Sequence, residues 1–218
     1  MSLFANAQAG LNFPASLSEK YRPRLLNDFV GLDKPKRIMQ KFAESPYPSS
    51  WIFYGASGTG KSTMAMALAG TIGGEMHHIG SQTCNLETIE NVVRICHYVP
   101  TTDKRFHIVV CDEFDKSSKA AQLFLLSKLD STSPVPNTIW IFTANTLEGL
   151  EDRFLSRCRQ IEFSSHGLAK ETAQLLETIW ERETGEKPEG INLLRLVQNA
   201  HNNVRESLMS LETELLSR

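Results

Sequence analysis

The sequence has few cysteines, and none of them is arranged as a disulfide or metal pair. No CxxC pair occurs, and no group of Cys and His residues has the spacing of zinc ligands. We expect four reduced structural thiols in a cytosolic protein, because disulfides persist in oxidising compartments. The four cysteines are Cys84, Cys96, Cys111 and Cys158.

The sequence also lacks a long apolar run and an excess of one charge. No stretch approaches the roughly 20 apolar residues of a membrane span, and the N-terminus lacks the pattern of a signal peptide. We therefore expect a cytoplasmic protein, nuclear if eukaryotic, with no membrane partner. The formal net charge of −2 excludes nucleic-acid binding by bulk charge, so a DNA contact requires a local patch or an assembly.

The 218 residues predict an α/β domain followed by a smaller helical one. Apolar, strand-like runs occur at 51–54, 107–111, 138–143 and 160–163, and helical patterns at 38–42, 64–70, 86–98 and 120–129. Strands alternating with helices predict a parallel sheet sandwiched by helices. Residues 168–183, 190–200 and 203–217 are helical without strand signals. We expect a flexible arm at 1–18, the α/β domain at 19–165 and an all-helical lid at 166–218.

A glycine-rich loop joins the first of these strands to the helix after it. Residues 55–62 fit G-x-x-x-x-G-K-[ST] in full, and the strand–loop–helix order is the context this phosphate-binding motif needs. Backbone N–H groups and the helix start would hold phosphates, with Lys61 at the β- and γ-phosphates and Ser62 on Mg²⁺. The alternative is a glycine-rich turn without function. The predicted nucleotide contacts are Gly55, Ala56, Ser57, Gly58, Thr59, Gly60, Lys61, Ser62 and Thr63.

Two carboxylates, Asp112 and Glu113, end the strand at 107–111. The carboxyl ends of parallel strands face the ligand crevice, so Asp112 is a candidate Mg²⁺ ligand and Glu113 a candidate base that polarises the attacking water. The alternative is a pair of solvated acids at a strand end. We expect a third acid, Asp115, to cap the next helix.

Three further polar residues are candidates for contacts with the γ-phosphate. Asn145 follows the apolar strand at 138–143, where its amide would orient water, or where it caps the strand as a turn residue. Arg153 and Arg157 follow. An arginine presented to a neighbouring subunit's γ-phosphate stabilises charge in the transition state, whereas a charged helix face is the alternative.

The motifs together resemble the AAA+ sliding-clamp loaders, especially the small subunits of replication factor C and their archaeal and phage relatives. The resemblance covers residues 17 to about 210. Its motifs are Glu19-Lys-Tyr-Arg-Pro23, Asp28-Phe-Val-Gly31, the phosphate loop, Asp112-Glu113, Thr143-Ala-Asn145 and Ser156-Arg-Cys158. It implies a P-loop NTPase fold of the AAA+ type and Mg²⁺-dependent ATP hydrolysis.

The resemblance also implies roles for individual residues. Tyr21, Arg22, Pro23 and Val30 would line the adenine pocket. Asn145 would be sensor 1, Arg157 the arginine finger acting on a neighbour's ATP, and Arg205 sensor 2. The segment 116–119, which opens a helix, would face DNA phosphates, although a solvated helix start is an equal alternative.

The resemblance implies identical or related AAA+ subunits in a ring or spiral, a sliding clamp and primer-template DNA as partners. Ala56 and Ser57 replace a pair of prolines common in the family, and the four-cysteine zinc module of the bacterial tau/gamma type is absent. Clamp loaders also carry a helical collar domain, which the sequence up to Arg218 does not include. An AAA+ adaptor or remodeller of a phage or mobile-element replication system therefore stays open. A nucleotide switch without productive turnover is a separate alternative, against which Glu113 argues because a pure binder needs no acid to position water.

Overall fold

The computed structural model describes residues 15–100, 103–130 and 134–217. Most of the arm predicted at 1–18 lies outside these residues. None of the helices in the described ranges combines the length and apolar character that a bilayer span requires.

A five-stranded parallel sheet forms the centre of the fold. Its strands are β1 (Ser49–Tyr54), β2 (Glu75–Ile79), β3 (His107–Cys111), β4 (Thr138–Ala144) and β5 (Arg159–Glu162), in the spatial order β2-β3-β4-β1-β5. The central strands β3 and β4 are buried along their whole length, as expected for apolar runs covered on both faces. Because the strands are parallel, the residues after β1, β3 and β4 meet at one edge of the sheet.

Strand β2 was not predicted from the sequence. Its residues, Glu-Met-His-His-Ile, contain polar and partly exposed side chains because β2 lies at the edge of the sheet. An edge strand with polar residues gives no apolar run, so the pattern that identified the other four strands is missing. The strand pairs with β3 in parallel register from Glu75 opposite His107 to Ile79 opposite Cys111.

Helices cover both faces of the sheet, which confirms the predicted sandwich. They are α2 (Asp33–Glu44), α3 (Lys61–Ile72), α4 (Leu86–Cys96), α5 (Lys119–Leu129) and the short α6 (Asp152–Leu155). One apolar cluster joins α2 and α3 to one face, with Met64 and Leu68 fully buried, and a second joins α4 and α5 to the other face. Alternate residues of β3 enter the two clusters: Val110 lies in the first and Val109 in the second.

The remaining helices form a third apolar cluster. It contains α7 (Ala169–Thr184), α8 (Leu193–Asn199) and α9 (Val204–Leu216), and the N-terminal α1 (Leu17–Lys20) packs against them through Leu17. Asn192 and Asn203 cap α8 and α9 by accepting backbone N–H bonds. These three helices match the segments predicted at 168–183, 190–200 and 203–217, while a domain division near 164–167 stays a prediction.

Candidate functional site

The glycine-rich loop runs from the end of β1 to the start of α3. Gly55, Gly58 and Gly60 all have positive φ angles, of 141°, 75° and 93°. A Cβ added at Gly55 would lie 2.2 Å from the carbonyl oxygen of Phe163, so only glycine fits there. Within the described residues, no side chain caps the start of α3, and its first N–H groups are left for a ligand. An open helix start behind a glycine loop is suited to binding phosphate.

Lys61 lies in the concave side of this loop. Its Nζ donates hydrogen bonds to the carbonyl oxygens of Gly55 (2.7 Å) and Ala56 (2.8 Å) and to Asn145 Oδ1 (3.1 Å). Burial lowers the pKa of the Lys61 ammonium, although nearby carboxylates, Asp115 foremost, oppose the shift. The structure therefore brings Asn145 to Lys61 and holds a buried cation on neutral oxygens, where an anionic ligand would stabilise its charge.

The residues predicted to bind Mg²⁺ are in direct contact. Ser62 Oγ donates a 2.6 Å hydrogen bond to Asp112 Oδ1, and Thr143 Oγ1 donates to the same oxygen at 2.9 Å. Hydroxyl and carboxylate oxygens are the hard ligands that Mg²⁺ prefers, so the donor set fits the ion. His78 Nε2 lies 2.6 Å from the other carboxylate oxygen of Asp112. His78 was not identified from the sequence, and Thr143 was named only as part of the Thr143-Ala-Asn145 motif, without a role.

Glu113 follows Asp112 in a left-handed conformation, with φ of 49°. Its backbone N–H donates to Thr143 Oγ1 (3.0 Å), and its carboxylate forms an ion pair with Lys116 at 2.6 Å. The carboxylate therefore lies at the expected strand end but is paired with Lys116. To polarise a water molecule, Glu113 has to exchange this lysine for water.

The prediction that Asp115 caps the following helix is wrong. Ser118 caps α5, since its Oγ accepts a hydrogen bond from the N–H of Ala121. Asp115 lies in a short 3-10 helix, and its Oδ1 is buried without a hydrogen-bond partner among the described residues. Ser118 is the cap because it directly precedes α5, which is the position of an N-cap residue.

A cavity of about 110 Å³ lies beside the loop, between the sheet domain and the C-terminal helices. It brings together the residues assigned to the adenine pocket with Gly58, Thr59, Gly60, Thr63 and Arg205. Apolar side chains that the sequence did not identify complete it. The predicted lining residues are Tyr21, Arg22, Pro23 and Val30; the additional ones are Phe29, Leu32, Leu168, Leu175, Val204 and Leu208.

Three side-chain hydrogen bonds join the C-terminal helices to the loop and to the N-terminal segment beside the cavity. Asn203 Nδ2 donates to the carbonyl oxygen of Ser57 in the loop (3.2 Å). On α7, Glu183 accepts hydrogen bonds from Tyr21 and from Lys20, the latter at 2.9 Å. Burial and the Glu183 carboxylate raise the pKa of Tyr21 to about 12, so its hydroxyl stays a donor. No sequence signal links residues so far apart in the chain.

Arg157 lies apart from these residues. Its guanidinium donates to the backbone oxygen of Arg153 (2.8 Å) and to Asp130 Oδ2 (3.0 Å). Within the described ranges, no hydrogen bond joins it to the loop, and it does not line the cavity. The structure thus gathers the other predicted site residues and leaves Arg157 outside.

The segment 116–119 opens a helix only at its last residue. Lys116 ends the 3-10 helix, and α5 begins at Lys119. Both side chains are largely exposed, and Lys119 lies 3.6 Å from Glu151. A role in binding DNA stays a prediction.

Comparisons with known proteins agree with this geometry. Residues 51–165 match the family model of the ATPase family associated with various cellular activities (AAA). The chain is 29% identical to replication factor C small subunit 2 of Pyrobaculum islandicum, covering 88% of this chain and 66% of that protein. It is 30% identical to small subunit 1 of the same organism, covering 82% and 60% respectively. The chain therefore spans about 60–66% of the length of these curated relatives.

The fold also matches a solved structure of low sequence identity. The Thermotoga maritima RuvB Holliday junction branch migration motor superposes with a TM-score of 0.70 at 16% identity, over 87% of this chain and 63% of that one. At this identity the likeness shows the fold alone. The matched family, with the loop and acidic pair in contact, confirms the assignment made from the motifs: the chain belongs to the AAA family of ATPases and is similar to the small subunits of replication factor C.

Proposed function

We propose that the chain is an ATP-binding and ATP-hydrolysing subunit of a clamp-loader-like DNA replication complex, whose ATP site is completed by an arginine from a neighbouring subunit. The observation that carries this proposal is the contact of loop, acidic strand end and cavity around one point. Lys61, Asp112 and Arg205 come from three separate parts of the chain: Asp112 contacts Ser62 at the start of α3, Arg205 lines the cavity beside the loop, and both interact electrostatically with Lys61.

The chain's own residues divide the work of binding ATP. The loop amides and the start of α3 hold the phosphates, while Lys61 exchanges its carbonyl contacts for phosphate oxygens. The adenine base occupies the apolar cavity beside Tyr21 and Val30, and Arg205 contributes positive charge from α9. Ser62 and Asp112 would hold Mg²⁺, which would neutralise negative charge on the phosphate oxygens.

Hydrolysis depends on Glu113 and Asn145. Glu113, released from Lys116, accepts a proton from the attacking water, and Asn145 positions that water near the phosphate. Glu113→Gln removes the base while keeping size and hydrogen bonding. We expect this variant to bind Mg-ATP normally and to lose turnover. Unchanged turnover would exclude Glu113 as the base, whereas a wild-type chain that binds Mg-ATP without turning it over would favour the nucleotide-switch alternative.

The position of Arg157 supports its action on a neighbouring subunit. Its guanidinium is held by Asp130 and by the Arg153 carbonyl, away from its own loop. Both side chains of the ion pair between Arg157 and Asp130 are partly exposed, and such pairs are weak. Once the pair opens, Arg157 is available for a neighbour's phosphates.

A mixing experiment tests this arrangement. Arg157→Ala keeps an intact site but provides no arginine, whereas Glu113→Gln provides the arginine but has no base. In an equimolar mixture, some interfaces pair an intact site with an intact arginine, so we expect turnover well above the sum of the two variants alone. Turnover equal to that sum would contradict action between subunits.

Arg153→Ala is the matched control for the arginine. Arg153 lies one helical turn earlier on the same segment and is exposed. We expect Arg153→Ala to retain turnover, and equal losses in the two arginine variants would favour a charged helix face over a catalytic arginine. Turnover per subunit should also rise with protein concentration, since the site is completed by assembly.

The proposed partners are primer-template DNA, a sliding clamp and further AAA subunits. The exposed Lys116 and Lys119 support a local contact with DNA phosphates despite the net charge of −2. Turnover measured with and without primed DNA tests this, and Lys119→Ala should reduce any stimulation. Affinity capture that recovers another replication protein in place of a clamp would favour the adaptor alternative.

A further inference from the structure

A second group of chemically active side chains lies at the opposite end of β3 from the nucleotide site. Glu75 and His77 are alternate residues of β2, and Glu75 is paired with His107, the first residue of β3. Because alternate and directly paired residues share a face of a parallel sheet, all three project to the same side. Helix α4 packs on that side and ends there at Cys96.

The fold brings the ligand atoms of three of these residues together. The Nε2 of His77 lies 2.9 Å from Nδ1 of His107, and the ligand atoms of His77, Cys96 and His107 all lie within 4.8 Å of one another. Two ligands of a tetrahedral zinc ion lie about 3.3–3.8 Å apart, so the two nitrogens have to separate slightly and any wider pair has to close by at most about 1.5 Å. Glu75 lies beside this group of three, with Oε2 3.8 Å from His107 Nδ1, and its carboxylate is within reach as a fourth ligand after a side-chain movement.

A backbone contact orients the imidazole of His107 in the way that outer partners orient a metal-bound histidine. Its Nε2 lies 2.9 Å from the backbone oxygen of Tyr98, which can only accept a hydrogen bond. Nε2 therefore carries the proton, and the lone pair of Nδ1 points toward His77. A backbone carbonyl that fixes the tautomer in this way is a common outer partner of histidine ligands.

We propose that His77, Cys96 and His107, with the carboxylate of Glu75, bind one Zn²⁺ ion. Two imidazole nitrogens, one thiolate and one carboxylate form a closed tetrahedral set that suits zinc. On binding, Cys96 releases its proton to solvent as the Zn–S bond forms, and His77 moves its proton from Nε2 to Nδ1. The ion ties edge strand β2 to β3 and to the end of α4. The site shares no residue with the nucleotide site and does not depend on the proposed function.

The test uses the full chain, stripped with a chelator and titrated with Zn²⁺ in excess Mg²⁺, and an Asp112→Asn variant is titrated in parallel to separate any Zn²⁺ bound at Asp112. We expect one equivalent of Zn²⁺ to bind and the unfolding temperature to rise with Zn²⁺ concentration. Co²⁺ in place of Zn²⁺ should give the visible bands of a tetrahedral ion and a thiolate charge-transfer band that Cys96→Ala removes.

His77→Gln is the decisive variant, because His77 is only half-buried and its replacement leaves the core intact. We expect it to weaken Zn²⁺ binding at least roughly tenfold. The matched control is His97→Gln, which changes an exposed histidine next to Cys96 and should leave binding unchanged. Equal affinity in wild type and His77→Gln, or a Co²⁺ spectrum without a thiolate band, would overturn the proposal.

Discussion

Gly58 lies where the phosphate loop touches the C-terminal helices, and its replacement by alanine perturbs both. Its φ angle is +75°, a conformation that L side chains rarely adopt. A Cβ at this position would lie 2.1 Å from Oδ1 and 2.5 Å from Nδ2 of Asn203. The side-chain amide of Asn203 donates a hydrogen bond to Ser57 O and, as the cap of α9, accepts one from the N–H of Glu206. An alanine at position 58 therefore forces this amide to leave both partners.

The magnitude follows from two separate costs. Holding an alanine in the left-handed region costs about 1–2 kcal/mol. Losing the Asn203 cap costs about 1 kcal/mol. Together they predict a loss of about 2–3 kcal/mol in the free energy of unfolding, or about 4–12 °C in Tm for a chain of this size. ATP affinity should fall as well, because the displaced loop carries the phosphate-binding amides.

Chemical denaturation and ATP titration of matched variants separate the two costs. Gly73→Ala is the control, since Gly73 has φ of +69° but no atom within 4 Å of the added Cβ. It should cost only the backbone strain and leave ATP affinity unchanged. In an Asn203→Ala background, the cost of Gly58→Ala should fall by about 1 kcal/mol, because the clash and the cap are already gone.

The reasoning would be refuted by either of two results. If Gly58→Ala destabilises the chain no more than Gly73→Ala, the clash with Asn203 does not change the free energy of unfolding. If the cost of Gly58→Ala is unchanged in the Asn203→Ala background, the two residues are independent and the loop is not tied to α9.

Two other variants test contacts around the site. Hydrogen bonds from Lys20 and Tyr21 hold the pKa of Glu183 below its ordinary value of 4.5. The ionised carboxylate therefore stabilises the folded chain above pH 4.5, and this contribution is lost as the pH falls through the lowered pKa. Glu183→Gln should therefore be less stable than wild type at neutral pH, with the difference shrinking in acid unfolding series; a difference constant with pH would contradict this. Thr143→Val leaves the Glu113 N–H without its partner, and should cost about 1–3 kcal/mol in denaturation and reduce turnover more than ATP affinity. Unchanged turnover would show that the hydroxyl does not position Glu113.

The parts of the site that follow strand ends could be predicted from the sequence. Asp112 directly follows β3, and Lys61 and Ser62 begin the helix that the glycine-rich loop joins to β1, so parallel strands bring these residues to one edge. The sequence assigned Ser62 and Asp112 to one Mg²⁺ site and Lys61 and Asn145 to the γ-phosphate, and the structure brings the members of each pair into hydrogen-bond contact. Local sequence order was sufficient because each residue is placed by the strand or helix next to it.

Other parts could not be predicted because they depend on tertiary pairing. His78 reaches Asp112 from β2, an edge strand whose polar residues gave no strand signal. The contact of Asn203 with Ser57 depends on how α9 packs against the loop. The cluster of His77, Cys96 and His107 likewise could not be recognised from the sequence spacing of metal ligands, because its members lie on three separate elements.

Calorimetric titration of the chain with Mg-ATP tests the central claim most directly. Lys61→Ala removes the buried ammonium from the loop, and Lys41→Ala, an exposed lysine on α2, is the matched control. Charged hydrogen bonds contribute about 1.5–3 kcal/mol, so Lys61→Ala should weaken binding about 10- to 150-fold while Lys41→Ala leaves it unchanged. Equal Mg-ATP affinity in wild type and a folded Lys61→Ala variant would contradict the assignment of this loop as the nucleotide site.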